Sequence, residues 1–219
     1  MRKVIVNAFV SLDGIMQSPG GPAEDPTGGF ALGGWTVSYF DDVVGREMDA
    51  MFDRPFDLLL GRKTYEIFAS HWPFVGSDNP VGALFNRVTK YVATRSPTLR
   101  VPWQNSQILG PDAVAAVREL RASTGPDLLT QGSSDFLHAL FASELVDEIN
   151  LLIFPVLIGR GKRLFGGGLA PAAFALAGSI ASPSGVVVNR YARSGPIVTG
   201  NFQLDPPTEA ELERRRRLS

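Results

Sequence analysis

Apolar residues along the chain fall into two rhythms. Residues 4–10, 56–60, 127–130 and 149–154 form short, nearly continuous apolar runs. Runs of that length, apolar on both faces, belong to strands in the middle of a sheet covered by helices on either side. Residues 90–94 and a segment ending at Leu109-Gly110-Pro111 add two further strands. Between these runs the spacing becomes helical. It does so at Val44, Met48, Met51 and Phe52, at Val114, Val117 and Leu120 after Pro111, and at Leu137, Leu140, Phe141 and Leu145. The alternation predicts βαβ units and a three-layer α/β/α domain around a mainly parallel sheet.

The last third changes character. Residues 174–181 and 186–191 flank the turn cluster Ser182-Pro183-Ser184-Gly185, which predicts an antiparallel hairpin closing one sheet edge. Residues 19–34, 74–82 and 166–171 read as loops, and loops of that length are commonly lids or binding loops. Past a domain spanning residues 1–200, the tail 201–219 carries two prolines, then Glu209, Glu211 and Glu213 ahead of Arg214, Arg215, Arg216 and Arg217. Acidic first and basic last complements a helix dipole, so the tail is expected as a solvated helix rather than a nucleic-acid arm.

Composition narrows the chemistry. The 219 residues are 44% hydrophobic, and 21 Lys plus Arg against 22 Asp plus Glu leave a formal charge of −1. No global field then draws the molecule to nucleic acid or anionic lipid. The absence of cysteine excludes disulfides, thiolate metal sites and a cysteine nucleophile, and with them a zinc deaminase. Two histidines, His71 and His138, stand in no metal-ligand spacing, so no metal is expected. The first residues lack a signal-peptide pattern, and the longest apolar run is about half of the roughly 20 residues a spanning helix requires. A cytoplasmic protein without membrane contact is expected.

The informative residues stand directly after the strands. Residues 56–60 run into Gly61-Arg62-Lys63-Thr64, and residues 127–130 run through Gln131 into Gly132-Ser133-Ser134. Glycine at such a junction lets a ligand approach the backbone, while the free N–H groups of the next helix attract anions. A third strand ends in Thr94-Arg95-Ser96, a cation beside hydroxyls that suits a phosphate monoester, and a fourth ends at Gly110. In an open α/β sheet these four turns line one cleft, suited to a nucleotide with several phosphates. Residues 159–164, Gly-Arg-Gly-Lys-Arg-Leu, match neither a dinucleotide fingerprint nor a P-loop.

Taken with Ser11-Leu12-Asp13-Gly14 and with residues 145–148 leading to residues 155–161, these motifs resemble the dihydrofolate reductase-like superfamily. The closer similarity is to the branch of the riboflavin-pathway pyrimidine reductase, the RibD C-terminal domain. The resemblance covers residues 1–195 and implies NADPH as cofactor, a small-molecule substrate and a homodimer. It implies that Gly61, Arg62, Lys63 and Thr64 hold the cofactor's phosphates and that Thr94, Arg95 and Ser96 meet its 2′-phosphate. Gln131, Gly132, Ser133 and Ser134 would lie beside the pyrophosphate and nicotinamide, and Ala8, Gly14 and Ile15 near the nicotinamide face.

Dihydrofolate reductases place a carboxylate on the helix after the first strand. Asp41, Asp42, Glu47 and Asp49 are candidates here, and Asp41 shares the side of Val44, Met48 and Phe52. Asp41 is therefore the favoured catalytic carboxylate, with helix N-capping as its other reading. Asp13 is a second candidate, with a turn as its alternative. His71 reads as a helix-end cap, while Trp35, Tyr39, Phe40 and Trp72 are candidates for an aromatic wall or for core packing. The expected function is NADPH-dependent hydride transfer to a C=N or C=O bond of a small heterocyclic or sugar-like molecule. True dihydrofolate reduction and a nucleotide sensor without catalysis are the alternatives.

Overall fold

The computed structural model describes residues 1–76 and 78–218; Ser77, in the expected loop 74–82, and Ser219, in the expected tail, lie outside the described residues. The strands are β1 (Val4–Ser11), β2 (Phe56–Gly61), β3 (Lys90–Ala93), β4 (Ser106–Ile108), β5 (Asp127–Gln131), β6 (Glu148–Phe154), β7 (Ala173–Ala181) and β8 (Val187–Gly195). They form one sheet in the order β4-β3-β2-β5-β1-β6-β8-β7. The first six strands run parallel, and β8 and β7 complete the sheet antiparallel. The helices are α1 (Asp42–Ala50), α2 (Arg62–Ala69), α3 (Pro80–Arg87), α4 (Ala113–Ala122), α5 (Ser134–Ala142) and α6 (Glu209–Arg216).

Strand β1 shows why its sequence does not alternate. Val4, Val6, Ala8 and Val10 pack on one sheet face with Val117 of α4 and Leu137, Leu140 and Phe141 of α5. Ile5 and Phe9 point to the other face, where they too meet side chains from helices and loops. Each leucine fully buried in these layers contributes about 1.5–3 kcal/mol. On this second face the packing is divided. One cluster joins Phe56, Leu58, Leu60 and Leu129 to Tyr65 of α2 and Phe85 of α3. Another joins Leu152, Phe154, Val186 and Val188 to Val44 of α1. The seam between them runs over β1.

The three-layer architecture and the hairpin agree with the sequence pattern. Helix α3 does not: it begins inside the expected loop 74–82. Val81, Leu84 and Phe85 have helical spacing, Pro80 occupies the first turn, and the Asn79 side chain accepts from Gly82 N at 2.9 Å. Gly82 disguises the helix, and its smallness is needed, because a Cβ there would stand 2.2 Å from Val75 Cγ2. Among the described residues no helix is long and apolar enough to cross a membrane.

Candidate active site

The parallel strands bring their C-terminal ends to one sheet edge, and there two turns lock together. Gly61 N donates to Ser133 Oγ at 2.9 Å, and that hydroxyl donates to Thr64 Oγ1 at 2.9 Å. The approach requires glycine: a Cβ on Gly61 would lie 3.2 Å from Ser133 Oγ, and Gly132 adopts φ +77° against Thr64. Helices α1, α3, α4 and α6 have side-chain N-caps from Asp41, Asn79, Asp112 and Thr208. Helices α2 and α5 have none. Their unsatisfied first-turn amides and positive dipole ends converge at Gly61 and Ser133, an anion-binding arrangement.

The other expected cofactor residues spread along or behind this edge. Ser134 opens α5 and is buried. Arg62 is exposed and 3.5 Å from Glu66. Lys63 turns onto Thr27 Oγ1 at 3.0 Å and lies 3.7 Å from Asp25, and the neighbouring ammonium of Lys162 pushes its pKa down. Beyond β3, Ser96 N donates to Thr94 Oγ1 at 3.0 Å, and Arg95 is exposed. Gly110 comes just after β4 with φ +82° and open space where a side chain would stand. Gly14 has φ +80°. Ala8 and Ile15 are buried, and the Ala8 side chain faces α4 and α5, away from the seam.

The loop 19–34, expected as a lid or binding loop, bridges the α2 N-terminus and residues 159–163. Gln17 Nε2 donates to the carbonyls of Asp25 and Thr27, both at 2.9 Å, and its Oε1 accepts from Lys162 N at 3.0 Å. Lys162 also pairs with the Asp25 carboxylate.

Both expected catalytic carboxylates are occupied elsewhere. Asp41 caps α1, accepting from Val43 N (3.0 Å) and Val44 N (2.9 Å), and its second oxygen accepts from Ser184 N at 2.9 Å. These amides, Val44's foremost, lower its pKa to about 2. Asp13 accepts from Ser11 Oγ at 2.6 Å, Ile158 N at 3.1 Å and Gly159 N at 2.8 Å. The Ser11 hydroxyl leads in bringing Asp13, too, to about 2. Held ionised by these donors, Asp41 stands as the cap of α1 and Asp13 as an anchor between the first turn and residues 158–159. Of the other carboxylates near α1, Glu47 pairs with Arg190 at 2.6 Å.

A polar row that no sequence motif announces crosses the seam. Asn7 of β1 is in register with Gln131 of β5 on one side and with Asn150 of β6 on the other; Asn150 in turn faces Arg190 of β8. Asn150 Nδ2 donates to Asn7 Oδ1 at 2.8 Å, while the buried Asn7 Nδ2 has no partner. A bare buried donor costs about 1–3 kcal/mol, a penalty that an ordered water, an ion or a ligand would relieve. Beside the row, Phe9, Trp35, Tyr39 and Phe40 surround Phe154 with centroids 5.5–6.2 Å away. Trp72 belongs elsewhere, packed on Phe68 and Phe85. His71 precedes a short helical turn with no side-chain cap bond, its ring against Trp72, and His138 Nε2 lies 3.1 Å from the carbonyls of Arg163 and Leu164. Asn7 and Asn150 interrupt apolar runs, and that interruption is the signal that could have found them.

The fold is dihydrofolate reductase-like, and the chain belongs to the RibD C-terminal domain family, whose profile matches residues 2–188. It is 25% identical over 172 residues to the uncharacterized protein YyaP of Bacillus subtilis, covering 75% of this chain and 80% of that protein. Among solved structures it is similar to a dihydrofolate reductase from Enterococcus faecalis complexed with NADP(H) (TM-score 0.56, 12% identity, 88% of this chain and 96% of that one). It is also similar to a pyrimidine reductase-like protein from Corynebacterium diphtheriae (TM-score 0.55, 13% identity, 88% of this chain and 92% of that one).

Proposed function

We propose that this protein is an NADPH-dependent reductase acting on a C=N or C=O bond of a small heterocyclic or sugar-like molecule. The observation that carries the reading is that the only α-helices without side-chain caps among the described residues, α2 and α5, meet through the Gly61–Ser133–Thr64 contact. Family membership and the NADP(H)-bound reductase of the same fold support it.

The chain fits such a cofactor through its donors. The amides around Gly61, Thr64, Gly132, Ser133 and Ser134 would hold the pyrophosphate, and Arg95 with Thr94 and Ser96 the 2′-phosphate, favouring NADPH over NADH. When bound, the nicotinamide supplies the hydride. The protein's part is to orient and to keep dry. Asn7 Nδ2 offers a donor to an acceptor atom of the substrate, Asn150 fixes the Asn7 amide through its 2.8 Å bond, and the rings around Phe154 exclude water. With Asp13 and Asp41 each committed to amide and hydroxyl donors of the protein, the balancing proton would come from solvent.

Fluorescence titration with NADPH and NADH, followed by turnover of a panel of ketones, imines and pterins, tests the proposal. NADPH should bind at least about tenfold more tightly than NADH, a difference of about 1.4 kcal/mol. No interaction at millimolar levels overturns it. Stoichiometric binding without turnover across the panel replaces the reductase by a nucleotide sensor.

A further inference from the structure

Loop 19–34 brings an anion of its own to the starts of α2 and α5. The Asp25 carboxylate, 13% exposed, lies 3.7 Å from the ammonium of Lys63 in the first turn of α2 and pairs directly with Lys162. Thr27 Oγ1 completes the contact, donating to Asp25 at 2.6 Å and accepting from Lys63 at 3.0 Å. Lys162 depresses the pKa of Lys63, burial works against the charge of Lys162, and the Asp135 carboxylate in the first turn of α5 favours the charged form of both. The two lysines thus stand within reach of both helix starts, and the carboxylate between them comes from neither helix. The loop's main fastening does not use that carboxylate. Gln17 Nε2 holds the carbonyls of Asp25 and Thr27, Gln17 Oε1 accepts from Lys162 N, and Ser18 Oγ accepts from Asp25 N at 2.7 Å. The Phe30 ring lies so close to Gly161 that a Cβ there would stand 3.0 Å from it.

A carboxylate clasped by two ammonium groups marks a position that selects anions, and Asp25 occupies it as an internal ligand. We propose that Lys63 and Lys162 form a pocket for the cofactor's pyrophosphate, which Asp25 fills when no cofactor is bound, so that loop 19–34 competes with the cofactor. The inference rests on the reductase reading and adds Lys162 and Asp25 to it. Pyrophosphate carries more negative charge than one carboxylate and offers several acceptor oxygens. It therefore wins both lysines as it settles on the first-turn amides of α2 and α5. Asp25 turns to solvent while Gln17 keeps the loop in place. A ligand that must displace such a competitor binds with its intrinsic affinity reduced by the fraction of molecules in which the lysines are free. Asp25 thereby sets the apparent affinity for the cofactor.

Calorimetric titration of the native chain, Asp25→Asn and Lys162→Gln, each with NADPH and with inorganic pyrophosphate, tests this. Asp25→Asn should bind both ligands about fivefold more tightly, and Lys162→Gln both about fivefold more weakly, with unchanged circular dichroism spectra. In the double variant the gain from Asp25→Asn should shrink below about twofold, because the lysine it released is gone. A substitution that merely loosened the loop would ease entry of the dinucleotide and leave the small pyrophosphate ion unaffected. Asp25→Asn that leaves both affinities unchanged or weaker, or that strengthens NADPH alone, overturns the proposal, and NADPH binding by the native chain would then keep the reductase reading intact. A chain that binds no NADPH loses the reductase reading, and the lysine pocket stands or falls on the pyrophosphate titrations alone.

Discussion

Asn7 is costly where it stands, a buried amide whose Nδ2 has no hydrogen-bond partner among the described residues. If that donor is kept for the substrate, Asn7→Leu should lower kcat/KM about 10–100-fold, the worth of one buried hydrogen bond to a ligand. NADPH affinity should stay within about twofold, since the residues proposed to hold its phosphates lie elsewhere. Steady-state kinetics beside an NADPH titration check this, and an equal loss in both would show that the amide only supports the fold. Lys90 makes a different residue-scale case. It is fully buried, its ammonium donates to the carbonyls of Asn86, Val88 and Gln104, and burial lowers its pKa from 10.5 to about 8. Between those values the unfolded chain binds more protons than the folded one, so this group makes stability rise with pH from about 8 to 10.5 and contributes no slope below 8. The gain across that window is about 3 kcal/mol. Denaturant midpoints across that range should show it in the native protein, and it should vanish in Lys90→Met. Neither role was legible from sequence. A lysine at the start of a predicted strand reads as a surface residue, and an asparagine within an apolar run reads as an interruption, because cross-strand register is set by the whole sheet.

At the scale of elements, much more was visible. The strands, the hairpin and the helix starts at Gly61 and Ser133 derive from continuous apolar runs, turn residues and junction glycines, all local signals. Helix α3 was hidden because Pro80 and Gly82 read as loop punctuation, although Pro80 is a first-turn residue and Gly82 answers to Val75. Trp72 takes the core-packing reading, against Phe68 and Phe85 rather than with Trp35, Tyr39 and Phe40, a division no sequence announces because nothing in it says on which side of a seam a ring falls. The Gly61–Ser133 junction offers the element-scale test. Gly61 has an ordinary backbone conformation, so alanine strains nothing locally, but its Cβ would sit 3.2 Å from Ser133 Cβ and Oγ and wedge the two helix starts apart. Gly61→Ala should therefore keep the fold, with a melting temperature within a few degrees of native, while weakening NADPH about tenfold by calorimetry. If affinity is unchanged, the contact between the turns does not shape the anion site.

For the whole molecule, the distribution of charge matters more than its sum. The four consecutive arginines of α6 look like a nucleic-acid arm when the tail is read in isolation. In the structure each is matched: Arg214 and Arg215 meet Glu211 at 2.6 and 2.9 Å, Arg216 meets Glu209 at 2.7 Å, and Arg217 meets Glu213 at 2.7 Å. Exposed pairs of this kind add little stability, so their larger effect is on the field the helix presents. Three glutamates beside the arginines cancel most of the potential that would otherwise draw phosphate backbones. Replacing them together, Glu209→Gln, Glu211→Gln and Glu213→Gln, should leave the domain's melting temperature unchanged and raise duplex affinity well above that of the native chain. Fluorescence anisotropy against salt gives a quantitative check. Four freed arginines acting on phosphates should produce a log–log slope of about −3 to −4, the signature of counterion release. A native chain that already binds duplex with that slope would mean that the ion pairs do not hold in solution and that the tail is a nucleic-acid contact after all.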